Sequence, residues 1–204
     1  NLPLYRAEGS EIKLLLVNRL LPEKRDESLG YLAKAFNRLT LPVTGAFDYS
    51  PVLANPTLSH ISRLLDCPLN GDPGSRNRII HNIQLGAASS QRVIDLLAAS
   101  TLLVTTSSRD ELIVTLSSLY HIPAYRERIA GLVIPGQTPI SAITQQILDA
   151  SGIPYIRILQ PTAAVFSAIT GHISKISPED DEKIDLIRSY AEQVLDFEAI
   201  DRLL

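Results

Sequence analysis

Apolar and polar positions along this chain follow two alternating periods. Continuous apolar runs of four to nine residues are each followed by a stretch with apolar residues three or four apart. "IKLLLVNRL" (12–20) reads as a buried strand, and "DESLGYLAKAFNRL" (26–39), apolar at 29, 32, 33, 36 and 39, as a helix. "LPVTGAF" (41–47) reads as a second strand. "NPTLSHISRLL" (55–65) reads as a helix with Pro56 in its first turn. From residue 79 the alternation becomes regular. The strand-like runs are "IIHNIQLG" (79–86), "TLLVTT" (101–106), "AGLVIPG" (130–136) and "YIRILQ" (155–160). They alternate with the helical patterns "SSQRVIDLLAAS", "SRDELIVTLSSLYH", "SAITQQILDASG" and "TAAVFSAITGHI". Runs apolar on both faces, separated by helices, predict an α/β fold with a mostly parallel sheet and helical crossovers. A partial β-α-β-α segment precedes it. Two strands make a poor sheet alone, so this segment is expected to join further strands.

"CPLNGDPGSRNR" (67–78) carries two prolines and two glycines and little apolar content, so it reads as a linker. The expected division is therefore residues 1–68 and residues 69–204. The chain closes with "SPEDDEKIDLIRSYAEQVLDFEAIDRLL", an amphipathic helix apolar at 184, 187, 191, 194 and 195. Ser177 is its expected N-cap and Pro178 its first helical residue, with acids suited to the helix dipole behind them.

Composition narrows the class. The 204 residues are 45% hydrophobic and 20% charged, sufficient for a core. The formal net charge of −3 gives no reason to expect nucleic acid or an anionic membrane surface as a partner. A single cysteine, Cys67, excludes an intrachain disulfide and suits a reducing compartment, the cytosol. No run approaches the length of a spanning helix. The chain has no Met and starts "NLPLYRAEGS", which reads as a piece of a longer protein.

Chemistry is sparse. A glycine-rich loop ending in Lys and Ser/Thr, which would cradle phosphates, is absent, as is the three-glycine dinucleotide fingerprint. His60, His81, His121 and His172 stand far apart, with no metal-ligand spacing. No nucleophile elbow surrounds a serine, and Cys67 has no basic neighbour to ionise it. No catalytic residue, metal site or cofactor is assigned. Four strand-end loops remain: "GAASS" (86–90), "TTSSR" (105–109), "PGQT" (135–138) and "QPT" (160–162). In a parallel sheet these line one edge, where helix amides point outward. Ser89, Ser90, Ser107, Ser108, Arg109, Gly136, Gln137 and Thr162 are therefore candidates for a ligand rim, with Arg109 as the cation for a small anion. The same residues also have ordinary structural readings. Ser108 and Glu111 fit a capping box, Ser89 or Ser90 and Thr162 fit N-caps, and Gly136 fits a turn.

From about Leu69 onward the order and spacing of these stretches resemble a DRTGG domain, the non-catalytic middle domain of long bacterial phosphate acetyltransferases. "LNGDPGSRNRIIHNIQLGAASSQRVIDLL" resembles the start of that domain, and "LLVTTSSRDELIVTL" its second strand and turn. "AGLVIPGQTP" resembles its third strand and turn, and "GIPYIRILQPTAAVFSAITG" its Gly-Leu-Pro strand and threonine-led helix. "DFEAIDRLL" resembles its exit. Residues 1–68 are similar to the end of the dethiobiotin-synthetase-like P-loop domain found before it. The name-giving residues differ: Ser107 and Ser108 replace the glycine and aspartate before the kept Arg109. Pro135, Gly136 and Gln137 stand in place of Thr-Gly-Gly. The resemblance implies a parent enzyme making acetyl phosphate and CoA from acetyl-CoA and phosphate. Its catalytic domain would follow Leu204. This chain would then be a regulatory and oligomerisation module, with that catalytic domain, further copies and a small-molecule effector as partners. The alternative is a nucleotide or metabolite sensor module of another multidomain protein.

Overall fold

The computed structural model describes residues 5, 7–9, 11–37, 41, 43–172, 176, 178 and 180–202, without the side chains of 37, 43, 44 and 182. In chain order the elements begin with β1 (Leu15–Leu20), α1 (Arg25–Asn37), β2 (Val43–Asp48), α2 (Pro51–Ala54) and α3 (Leu58–Leu64). Next come β3 (Leu69–Asn70), β4 (Asn82–Leu85), α4 (Ser90–Asp95), β5 (Thr101–Val104), α5 (Asp110–Leu119) and α6 (Pro123–Arg128). The last are β6 (Ile129–Pro135), α7 (Ala142–Ser151), β7 (Tyr155–Ile158), α8 (Thr162–Thr170), α9 (Asp181–Val194) and α10 (Phe197–Asp201). The fold is α/β, as the periodicity predicts.

Two compact units form, residues 1–51 with 181–204, and residues 52–180. This division falls elsewhere than after residue 68, because the apolar face of α3 belongs to the core of the second unit. Leu58, Ile61 and Leu65 are buried there beside Leu102, Val104 and Ile156.

In the second unit the sheet order is β3-β7-β6-β5-β4. β4 through β7 run parallel in sequence order, and only β3 is antiparallel, pairing Leu69 with Ile156 and Asn70 with Tyr155. The stretch expected to be a linker is thus an ordered edge of the sheet. Asp72 caps a 3-10 turn at Pro73–Ser75 through the amide of Gly74, at 3.0 Å. β5 and β6 are buried along their whole length, and their side chains alternate between two cores. One core joins Leu103, Leu132, Ile134 and Tyr155 to Val93 of α4, to Leu112 and Leu116 of α5, and to Leu148 of α7. The other joins Leu102, Val104, Val133, Ile156 and Ile158 to α3 and to Val165 and Ile169 of α8. Each buried Leu or Ile contributes roughly 1.5–3 kcal/mol by leaving water.

The crossover helices therefore change face once. α4, α5 and α7 cover one side, whereas α8, after β7, covers the other. Adjacent strands β6 and β7 send their chains to opposite faces, which opens the kind of divide where α/β sheets hold ligands.

Local endings follow known rules. Gly152 stops α7 at φ +68, as its position predicts. Pro56 precedes α3 instead of entering it. Thr57 is the cap, accepting the amide of His60 at 3.3 Å. The same hydroxyl donates to the buried carboxylate of Asp180 at 3.2 Å. Ser177 lies outside the described residues, and Pro178 sits in a turn. The last long helix starts only at Asp181.

In the first unit, β1 and β2 form a two-stranded parallel sheet with α1 as crossover. Among the described residues β1 pairs only with β2. It is half exposed, not buried as its composition suggests: Leu16 stands open to solvent, and Arg19 at φ +61 breaks the register. Arg25 ties α1 to β2 by bonds to the Asp48 carboxylate at 2.5 Å and the Ala46 carbonyl at 3.0 Å. Gly45 leaves room for Leu195: a Cβ there would collide with the Leu195 side chain.

Candidate functional site

The carboxyl ends of β4, β5, β6 and β7 bring the four small polar loops to one edge of the sheet. Backbone bonds connect them in turn. The amide of Thr105 donates to Val133 at 3.0 Å, that of Ser107 to Pro135 at 2.9 Å, and that of Gly136 to Gln160 at 3.0 Å.

Arg109 is the hub. It occupies the N-cap position of α5, yet its side chain reaches back to the β4–α4 loop. Nη1 donates to the carbonyls of Gly86 and Ala88, both at 2.9 Å, and Nη2 lies 3.5 Å from Ser90 Oγ. Nε donates to Glu111 Oε1 at 2.5 Å. This bond, more than the nearby guanidinium charge, holds the Glu111 carboxyl below its usual range. Glu111 is mostly exposed, so screening leaves the pair under about 1 kcal/mol. The guanidinium thus serves first to tether one loop to the next.

The expected capping box is absent for the same reason. Glu111 is engaged with Arg109 and does not reach back to the Ser108 amide. Ser108 is exposed, with its Oγ 3.4 Å from that of Thr106, and α5 has no side-chain cap. Thr162 is likewise not a cap. α8 begins one residue earlier, so Pro161 holds the cap position and Thr162 lies inside the first turn. Ser89 does cap α4, accepting the amide of Arg92 at 3.4 Å. Gln137 is exposed. Gly136 adopts φ +119, as a turn glycine would. A Cβ on it would lie 2.8 Å from Ser107 Oγ. The structure therefore groups Arg109 with Ser90, and Ser107 with Gly136.

Three rim residues carry unpartnered oxygens, two of which sequence reasoning missed. Thr105 Oγ1, Ser107 Oγ and Asp110 Oδ1 are buried and have no hydrogen-bond partner. Ser107 was a candidate, but Thr105 and Asp110 were not. A buried polar group left unsatisfied costs about 1–3 kcal/mol, so such a cluster asks for an explanation. No local signal distinguishes these residues from ordinary strand-end and first-turn positions. Arg157 had a signal: it is the one charge in the strand "YIRI". Its Nη1 donates to Ile134 at 2.9 Å and to Ile158 at 2.6 Å, and its Nη2 to Thr138 at 2.9 Å. It ties the β6–α7 loop to β7, as Arg109 ties the β4–α4 loop to α5. Burial pulls its pKa downward.

Among the described residues no group of three or more His, Cys, Asp or Glu side chains could hold a metal ion. No described helix is long and apolar enough to cross a membrane.

No protein-family model matches the chain, and no curated protein matches it. Among solved structures it is similar to the crystal structure of the CBS and DRTGG domains of the regulatory region of Clostridium perfringens pyrophosphatase, complexed with activator, diadenosine tetraphosphate. The identity is 12%, 89% of each chain is covered, and the TM-score is 0.43. At that score the likeness carries no part of the functional reading.

Proposed function

We propose that the chain is a regulatory module whose strand-end rim takes a small effector and whose parent protein performs chemistry elsewhere. The observation that supports this most is the set of buried, unpartnered polar groups at Thr105, Ser107 and Asp110, at the end of β5 and the start of α5. On the sequence resemblance, the module is of DRTGG type and the parent a phosphate acetyltransferase. Residues 69–204 then correspond to that domain and residues 1–68 to the end of a P-loop-like domain. Assembly with further copies and with the catalytic domain belongs to the same reading, as does a cytosolic location.

The test uses the full-length gene product. Phosphate-dependent release of acetyl phosphate and CoA from acetyl-CoA is measured with and without adenosine, adenine nucleotides, NADH or pyruvate, and at varied phosphate. Effector-sensitive turnover that becomes insensitive in Arg109→Ala is expected. Absence of transferase activity removes the acetyltransferase parent but leaves the module. No effector response, and no shift in melting temperature with any of these compounds, removes the regulatory reading.

A further inference from the structure

We propose that residues 86–90 are a lid over a polar site made by Thr105, Ser107 and Asp110, and that Arg109 latches this lid. The site is fitted to a hydrogen-bond-donating group, a hydroxyl or an amino group, on a small ligand that is not an anion. This rests on the effector reading above and names the chemistry of its site.

The three orphan oxygens all lie between residues 105 and 110, at the end of β5 and the start of α5. Thr105 and Ser107 are only 1% and 2% exposed, so bulk water does not serve them. What covers them is backbone. A Cβ on Gly86 would stand 3.2 Å from Thr105 Oγ1 and 3.0 Å from Thr105 Cβ. The Gly136 backbone approaches Ser107 Oγ in the same manner. Glycine at both positions lets main chain close directly onto the hydroxyls.

The two covers are held differently. Gly136 is bonded to Gln160, and its loop is tied down further by Arg157. Gly86 keeps a single ladder bond from its amide to Val104, at 2.8 Å. Beyond it, Ala87, Ala88 and Ser89 are exposed, and the loop is fastened by Arg109 through the Gly86 and Ala88 carbonyls. Breaking that one side chain's bonds frees the loop to lift, whereas the Gly136 side stays fixed.

The lining decides the ligand. The Asp110 carboxyl brings an unpartnered acceptor oxygen, and the two hydroxyls can accept as well as donate. Arg109 spends its donors on the lid and on Glu111. A bare oxyanion would bring acceptors to an acceptor, with the nearest cation engaged. A ligand hydroxyl or amino group would satisfy the orphans instead.

The test places a thiol under the lid: Thr105→Cys in a Cys67→Ser background, labelled with a chromogenic disulfide reagent. Labelling at least 100-fold slower than in the denatured chain is expected. Adding Arg109→Ala should speed it at least tenfold. Millimolar adenosine, which offers hydroxyls and an amine without charge, should then slow it at least threefold, and inorganic phosphate should not. Equal rates with and without Arg109 overturn the latch. Protection by phosphate alone makes the site an anion site, and protection by neither probe leaves room for buried water only. Each overturns the ligand assignment. Hydrogen exchange of residues 86–90 in the unaltered chain is the control for misfolded variants. It should outpace exchange in residues 136–140 and slow with adenosine, and the opposite ranking overturns the lid. An effector that shifts the melting temperature while the thiol stays unprotected defeats this site but not the regulatory module.

Discussion

Gly136→Ala tests how tightly the rim is closed. At φ +119 the backbone lies where residues with a Cβ rarely go, a conformation that costs about 1–3 kcal/mol for alanine. The new methyl would also sit 2.8 Å from Ser107 Oγ, while the Ser107 amide nitrogen at 3.7 Å is in ordinary contact. Only the hydroxyl must move, and forcing it off its rotamer costs about 0.5–1.5 kcal/mol. The sum is a loss of roughly 1.5–4.5 kcal/mol. Ser107→Ala removes the obstacle and also an unsatisfied buried hydroxyl, so alone it should be neutral or stabilising by up to about 1 kcal/mol. In that background Gly136→Ala should retain only its backbone cost, leaving a coupling of about 1 kcal/mol. Because the chain forms two compact units, a global melt would mix them. Hydrogen exchange of β5 and β6 amides reports the second unit directly. A loss below about 0.5 kcal/mol in Gly136→Ala, or no coupling to Ser107→Ala, refutes the close approach.

Two further outcomes follow from named contacts. Arg157→Met leaves the carbonyls of Ile134, Ile158 and Thr138 without their donor. It should cost about 1–3 kcal/mol and speed exchange in residues 136–140, and unchanged exchange there would show that the loop is held otherwise. The Tyr155 phenol, pushed up to about 12 by burial and then by its bond to Asp149 at 2.7 Å, should ionise only well above the ordinary phenol value. Its proton is held more tightly in the folded chain, so this stabilisation is complete below about pH 10 and is lost as pH rises toward 12. A phenolate absorbance titration that is identical in Tyr155→Phe near the top of that window would contradict it.

Element types and most of their order are legible in the periodicity of the chain. Apolar runs such as "TLLVTT" and "AGLVIPG" state both their strand character and their burial, because parallel strands covered on both faces tolerate no polar alternation. Gly152 and Ser89 likewise act through their own turns, so local chemistry suffices to place them. Tertiary structure decided the rest. The "CPLNGDPGSRNR" stretch looks like a linker because its pairing partner, Tyr155 and Ile156, is far away in sequence. Ser108 looks like a cap until Arg109 takes Glu111, a competition set by where the β4–α4 loop places the Gly86 and Ala88 carbonyls. The orphaned hydroxyls of Thr105 and Ser107 are the clearest case. Nothing in "TTSSR" says which of its hydroxyls will lose water, because that depends on two glycine backbones brought over them by strands the segment does not contain.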